Sequence, residues 1–126
     1  ADELLAACAQ AREIDFIAQY AGPLPTIVIA EMMGVPTTHC ADLKRWSDAI
    51  LMGYDPERDA ATQRALREGY VAMTAVLRET VEARRRAPQE DLISAMVRAQ
   101  EEGDRLSDLE IISLCTQLLV AGNVTT

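Results

Sequence analysis

The sequence predicts an all-α fold of about six helices, in a single unit that spans residues 1–126. Apolar residues recur at spacings of three and four along most of the chain, with proline and glycine between these stretches. No pair of segments shows the alternating pattern of paired strands. Aromatic residues make up only 4% of the chain, so alanine and aliphatic side chains must fill most of the core.

The sequence predicts the first helix more clearly than the second. A short amphipathic helix is predicted over residues 2–12, where apolar residues lie at helical spacing. The next apolar stretch is ambiguous, because the β-branched run at 26–29 also suits a strand. We favour a helix, since Pro23 or Pro25 can occupy its first turn, and Gly34 can end it.

The third and fourth helices are predicted from their caps. A threonine pair at 37–38 can cap a third helix that runs to about Met52. Asp55 followed by Pro56 has the pattern of an N-cap and a first helical residue. The apolar residues that follow predict a long helix over about 57–85.

The last two helices lie on either side of a turn at residues 102–104. The stretch 90–100 predicts a short fifth helix with one apolar side. Ser107 and Glu110 form a capping box, which places the start of the last helix near Asp108. This helix is apolar nearly all round over residues 111–120, so we expect it to be central.

Charge and cysteine content exclude several classes of function. The net charge of −8 argues against nucleic acid as a partner, because phosphate binding requires clustered Lys and Arg. The one basic cluster, at 84–86, suits the last turn of a helix, and a redox-partner or anion-binding patch is the alternative. No apolar run is long enough to span a membrane. Cys8, Cys40 and Cys115 lack the paired spacing of a zinc site, so we expect no metal site, reduced thiols and a cytoplasmic protein.

Standard hydrolytic and nucleotide-binding motifs are missing from the sequence. The single His39 lies in a polar capping region, where a surface histidine is expected. A Ser-His-acid set cannot be built around it, and no glycine-rich phosphate loop follows a strand.

The last residues, LLVAGNVTT, carry the most informative pattern. Gln117, Ala121 and Thr125 are four residues apart and form one row along a helix face. The small Ala121 and Gly122 would let a flat ligand approach the backbone closely. The Thr125 hydroxyl can bond to a carbonyl one turn back and distort the helix. An ordinary helix terminus is the alternative interpretation.

Three stretches together resemble the cytochrome P-450 superfamily of haem-thiolate monooxygenases, most closely its soluble bacterial members. They are DFIAQYAGPLPTIVIAEMMGVP, DLISAMVRAQEEGDRLSDLEI and LLVAGNVTT, in family order and at family-like distances. The resemblance covers most of the chain. It implies an internal fragment of the mostly helical family fold, which ends in the first half of the long central helix.

The resemblance also implies roles for individual residues at the end of the chain. Ala121 and Gly122 correspond to the small pair that lies over the haem, and Thr125 to the threonine that helps to hold dioxygen and the water chain that delivers protons. Most members have an acid before that threonine, where this chain has Val124. Because valine cannot relay a proton, Asn123 is a candidate for ordering water instead.

The substrate side of the site is implied in the same way. Ile50 and Leu51 would face the substrate from one side, next to a mobile lid at 50–55, and Gln117 and Val120 would line the other side. Ordinary core packing is the alternative, above all for Ile50 and Leu51. Gln117 is the more informative residue, since an amide in an apolar helix is expected to have a partner.

The whole protein implied by the resemblance uses haem, dioxygen and electrons from a ferredoxin or flavin partner to oxidise a small or medium organic substrate. The cysteine loop that ligates haem iron in the family does not occur in this sequence. We therefore expect the 126 residues alone to be inactive and, with a large apolar surface on the last helix, to self-associate. The competing hypothesis is a helical interaction or regulatory module without a cofactor.

Overall fold

The chain is helical throughout the residues that the computed structural model describes, which are 1–9, 13–103 and 106–124. Six α-helices and two short helical turns lie in these ranges, and no strand does. In chain order they are α1 (Asp2–Ala9), a π-helical segment (Ile17–Ala21), α2 (Pro23–Met33), a 3₁₀ turn (Thr37–His39), α3 (Cys40–Met52), α4 (Ala60–Arg86), α5 (Leu92–Glu101) and α6 (Asp108–Val124). The predicted all-α class is confirmed.

Helix α2 resolves the ambiguity of the β-branched run in favour of a helix. Pro23 occupies its first position, where a missing N–H costs no hydrogen bond. The helix ends at Gly34, whose φ of 81° lies in the left-handed region that glycine adopts without strain. The Gly34 and Val35 amides donate to carbonyls of the last turn, at 3.1 Å to Glu31 and 2.9 Å to Ala30.

The start of α4 differs from the prediction. Asp55 and Pro56 do not begin the helix, because the Asp55 carboxylate accepts a hydrogen bond from the Glu57 amide at 2.9 Å and closes a local turn. Asp59 is the actual N-cap, and its carboxylate accepts from the Thr62 amide at 2.7 Å. Helix α4 therefore begins three residues later than predicted.

The start of α6 agrees with the predicted capping box. The Ser107 amide donates to the Glu110 carboxylate at 2.7 Å, and the Glu110 amide donates back to the Ser107 hydroxyl at 3.3 Å. Two amides that a helix start would otherwise leave unbonded are thereby satisfied.

The core lies between α2, α3, α4, α5 and α6. Its buried apolar residues are Ala30, Met33, Val35, Leu43, Ile50, Met73, Leu77, Val81, Ile93, Val97, Ile111, Ile112, Cys115 and Leu119. Helix α1 packs against the π-helical segment and contributes none of them.

Helix α6 packs against α2, α3, α4 and α5, but only one of its sides is covered. Ile111 and Leu119 are fully buried, whereas Leu114 and Leu118 are 43% and 47% exposed. The expectation of a central helix therefore holds for one face within this chain. None of the described helices has the length and hydropathy needed to cross a membrane.

Candidate functional site

The last turns of α6 border an open cleft between α3, α4 and α6, with a volume of about 460 Å³. The residues that line it are Ile50, Tyr54, Tyr70, Ser113, Thr116, Gln117, Val120 and Ala121. The five from α6 recur at intervals of three and four, so they form one face of that helix. None of the lining residues is charged, which suits a neutral and largely apolar ligand.

Four residues of the predicted site lie together in this cleft. Ile50 contributes from α3, and Gln117, Val120 and Ala121 contribute from α6. Leu51 does not line the cleft, and its side chain is 39% exposed. Successive residues of a helix point about 100° apart, so Ile50 and Leu51 cannot share one narrow face.

The Gln117 amide lacks the internal partner that the sequence led us to expect. The residue is exposed, and its side chain forms no hydrogen bond to another residue in the described part of the chain. Water satisfies an amide at an open surface, so no protein partner is required. The amide is free to bond to a ligand in the cleft.

The other polar groups of the cleft were missed by the sequence analysis. Tyr54 and Tyr70 are 77% and 44% exposed, and they place two phenol hydroxyls at its edge. The Thr116 hydroxyl donates to the Ile112 carbonyl at 2.8 Å, within α6 itself. Tyr70 carries a hydroxyl within an otherwise apolar helical repeat, and this pattern could have indicated a polar edge of the cleft.

Ala121 and Gly122 lie on different sides of α6. Ala121 lines the cleft, whereas a side chain at Gly122 would overlap the end of the Ile29 side chain on α2. The absence of a side chain at Gly122 therefore allows α6 to approach α2 closely. This packing is independent of the predicted contact of Gly122 with haem, which remains a prediction.

Asn123 is buried in a cluster that we call the polar junction, formed with Thr26 of α2 and Ser47 of α3. The Asn123 side-chain oxygen accepts from the Thr26 hydroxyl at 2.5 Å, and its amide nitrogen donates to the Ser47 hydroxyl at 2.9 Å. The sequence analysis missed Thr26 and Ser47. Ser47 lies one turn from Leu43 and Ile50 on the apolar face of α3, which is a recognisable signal for a buried hydrogen bond.

Thr125 and Thr126 lie outside the described residues, as does the side chain of Val124. The role predicted for Thr125 therefore rests on the sequence.

The three cysteines lie in three different helices, α1, α3 and α6. Cys8, Cys40 and Cys115 are free thiols, and no group of metal-binding side chains comes together in the described part of the chain. Burial raises the pKa of the Cys115 thiol to about 12. Burial, together with nearby Glu31, also raises the pKa of Cys40. Both thiols are therefore protonated near neutral pH in the protein without metal.

Known proteins of similar sequence match this chain along nearly its whole length. A cytochrome P-450 of Saccharopolyspora erythraea is 39% identical over 125 residues, which are 99% of this chain and 29% of that protein. A steroid monooxygenase of Mycolicibacterium smegmatis is 35% identical over 125 residues, 99% of this chain and 31% of that protein. The chain thus spans about a third of the length of the curated relatives that it matches. No family model matches it.

Solved structures show the same arrangement of helices. A myxobacterial cytochrome P-450 in complex with myristic acid has a TM-score of 0.87 at 38% identity, over 99% of this chain and 30% of that one. A cytochrome P-450 of Bacillus megaterium in complex with testosterone has a TM-score of 0.85 at 32% identity, over 97% of this chain and 32% of that one.

Proposed function

Because the chain belongs to the cytochrome P-450 family, we propose that it is an internal segment of a haem-thiolate monooxygenase. The whole protein would insert one oxygen atom from dioxygen into a small or medium organic substrate. The observation that carries this proposal is the uncharged cleft at the end of α6, where Ile50, Gln117, Val120 and Ala121 lie together. An interaction module needs an apolar surface but does not need such a cleft.

The described residues suit one wall of a haem pocket. Ala121 is exposed and small, so a flat ring system can approach α6 at this position. The cysteine ligand would come from residues outside this chain. When bound, the haem supplies the oxygen chemistry, and the protein supplies binding, orientation and proton delivery.

In the cleft, we assign the residues of this chain to binding and orientation. Val120 and Ile50 would pack against the apolar body of the substrate and exclude water from it. The Gln117 amide and the Tyr54 hydroxyl would donate hydrogen bonds to an oxygen of the substrate. One such hydrogen bond at the edge of an apolar cleft is enough to fix the orientation of a ligand.

The substrate class follows from the size and lining of the cleft. A volume of about 460 Å³ lies within the usual range for sites that bind small molecules. Two solved relatives hold testosterone and myristic acid, which are both largely apolar, and of these only testosterone is neutral at pH 7. We propose a largely apolar and neutral substrate.

Proton delivery would depend on residues at the end of the sequence. We assign the Thr125 hydroxyl to holding dioxygen and a water chain. The Asn123 side chain is buried and bonded to Thr26 and Ser47 in the polar junction, so we assign no contact with this water to it. Electrons would come from a ferredoxin or flavin partner, and the protein would work in the cytoplasm.

The experiment that separates the two hypotheses is an absorption spectrum of the full-length protein that contains this chain. A haem band is expected for the oxygenase, and its absence would leave the interaction module. In the haem protein, Thr125→Ala should keep substrate binding and lower the rate of product formation on the order of 100-fold, because proton transfer is impaired. The matched control is Thr74→Ala, whose hydroxyl bonds only to carbonyls of its own helix.

We also propose that the 126 residues by themselves are inactive and self-associate. Leu109, Leu114 and Leu118 are exposed on α6 and offer an apolar surface to a second copy. Light scattering should give a mass of at least a dimer. A monomer at every accessible concentration would contradict this proposal.

A further inference from the structure

The polar junction joins three helices through uncharged side chains. Thr26, Ser47 and Asn123 are 1%, 0% and 7% exposed, so all three are shielded from water. Among the described residues, no buried side-chain polar atom lacks a hydrogen-bond partner. Hydrogen bonds in such surroundings are costly to leave unmade, so the three side chains are held in one arrangement.

The hydrogen bonds of the polar junction run in one direction, from Thr26 to Asn123 and from Asn123 to Ser47. The Thr26 hydroxyl has a single hydrogen, with the Asn123 oxygen at 2.5 Å and the Gly22 carbonyl at 3.5 Å. The shorter contact receives the hydrogen. The Asn123 amide nitrogen then faces Ser47 and donates to its hydroxyl at 2.9 Å. Helix α6 is thereby bonded to α2 through one atom of Asn123 and to α3 through another.

The junction lies directly beside the cleft. Three consecutive residues of α6 face three different neighbours: Ala121 lines the cleft, Gly122 packs against Ile29, and Asn123 enters the junction. A rotation of α6 about its axis would break the bonds of Asn123 and move Ala121 at the same time. The hydrogen bonds of Asn123 and the position of the cleft face are therefore linked.

We propose that the polar junction is a positioning device, which fixes the rotation and height of the end of α6 against α2 and α3. This inference rests on the proposed function in one respect: the group beside which Ala121 is positioned is the haem. Asn123 then acts through α6 rather than through direct contact with the reacting atoms. Thr26 and Ser47 are positioning residues for the same reason.

The test measures amide hydrogen exchange in the full-length protein and compares junction variants with a matched control. Thr26→Val and Ser47→Ala each remove one partner of Asn123. Thr80→Val is the control, because Thr80 is also buried but its hydroxyl bonds only to the Val76 carbonyl of its own helix, at 2.9 Å. Thr26→Ser keeps the hydroxyl and is the conservative rescue.

Exchange in the segment 118–124 should accelerate about tenfold in Thr26→Val and in Ser47→Ala, because a buried amide loses a partner. It should stay near the unaltered rate in the control and in the rescue. The second readout uses carbon monoxide as a probe of the haem in the reduced protein. Its stretching band should shift or broaden in the two junction variants and not in the control.

Unchanged exchange in both junction variants, exchange that accelerates equally throughout the protein, or an unchanged carbon monoxide band would overturn the positioning role. If the unaltered protein has no haem band, the proposed function fails, and the exchange measurements still decide whether the junction holds α6 in place.

Discussion

Helix α2 is held near one end by uncharged polar groups and at the other end by charged groups. Near its N-terminal end, Thr26 belongs to the uncharged polar junction with α3 and α6. At its C-terminal end, the Gly34 carbonyl accepts a hydrogen bond from the Arg84 guanidinium at 2.6 Å, and Arg84 forms an ion pair with Asp91. We call Gly34, Arg84 and Asp91 the charged junction. It joins α2 to the end of α4 and to the start of α5.

Each charge of the charged junction has more than one partner. The Arg84 and Asp91 side chains are only 13% and 5% exposed. Asp91 is also the N-cap of α5 and accepts from the Ser94 amide at 2.8 Å. Burial by itself would raise the pKa of the Asp91 carboxyl, but the hydrogen bonds from Arg84 and Ser94 outweigh it, and the pKa lies below its ordinary value.

The uncharged junction is the one beside the cleft, since Asn123 is two residues from Ala121, whereas no residue of the charged junction lines the cleft. A charge beside an apolar cleft is costly to desolvate unless it is fully paired, and a bound ligand would disturb that pairing. Neutral amide and hydroxyl groups give a directed contact without this cost. Near the cleft the helices are therefore joined by groups that do not titrate, and the ion pair lies at the far end of α2.

The largest expected effect is the loss of the charged junction. Asp91→Ala removes the partner of a buried guanidinium and the cap of α5, so the free energy of unfolding should fall by about 3–5 kcal/mol. The control is Asp42→Ala, which breaks the exposed ion pair with Arg45 and should cost less than about 1 kcal/mol. Urea unfolding followed by circular dichroism, at one fixed protein concentration, measures both. Equal costs would mean that burial adds nothing to the pair.

A somewhat smaller loss is expected from Gly34→Ala. Its φ of 81° strains any other residue, and a Cβ there would overlap the Asp91 carboxylate. The expected loss is about 2–4 kcal/mol from strain and overpacking together. Gly103→Ala is a matched control, because Gly103 has a φ of 106° but nothing within 4 Å of the added carbon. If the two variants lose the same stability, the overlap with Asp91 contributes nothing.

The pH dependence of stability should separate the two junctions. The folded pKa of Asp91 is lowered, so its contribution is fully present above its unfolded pKa of about 4. It is lost as the pH falls through the folded pKa. Asp91→Asn should reduce the loss of stability between about pH 5 and pH 2. Thr26→Val should lower stability by the same amount across that range, because the polar junction does not titrate. If the free energy of unfolding depends on pH equally in the unaltered protein and in Asp91→Asn, Asp91 does not contribute to the pH dependence.

The smallest effect is expected at the glycine beside the polar junction. The added carbon of Gly122→Ala meets only the end of the half-buried Ile29 side chain, which can rotate. The overlap is partly offset by the better helix propensity of alanine, so the net loss should be about 1 kcal/mol or less. Combining it with Ile29→Val should recover that stability in urea unfolding. If the double variant loses more stability than Ile29→Val does alone, the added carbon overlaps groups other than the end of the Ile29 side chain.

Local sequence patterns predicted the helices, because their signals lie within a few residues of each other. The capping box of Ser107 and Glu110 is an example, since both partners are three residues apart. The same reasoning misplaced the start of α4, because Asp55 and Asp59 are both suitable caps and the bond from Glu57 to Asp55 decides between them.

The junctions could not be predicted, because their partners are far apart in the chain. Thr26 and Asn123 are 97 residues apart, and Arg84 and Gly34 are 50 apart. From sequence, Arg84 was one of three cations at a helix end, and Asn123 was a substitute for a missing acid. The sequence drew attention to Asn123 and to the basic cluster that contains Arg84. Only the packing of the helices shows which residues these two side chains bond to.

Cys115 has a consequence for the chemical durability of the protein. It lies in α6 one turn from Leu119, is fully buried, and has a thiol pKa of about 12. At pH 7 only about one such thiol in 10⁵ is ionised, and the thiolate is the form that oxidants attack. A sulfur atom can therefore be part of the helix that borders the cleft, in a protein that we propose to handle dioxygen, with very little of the thiolate that oxidants attack.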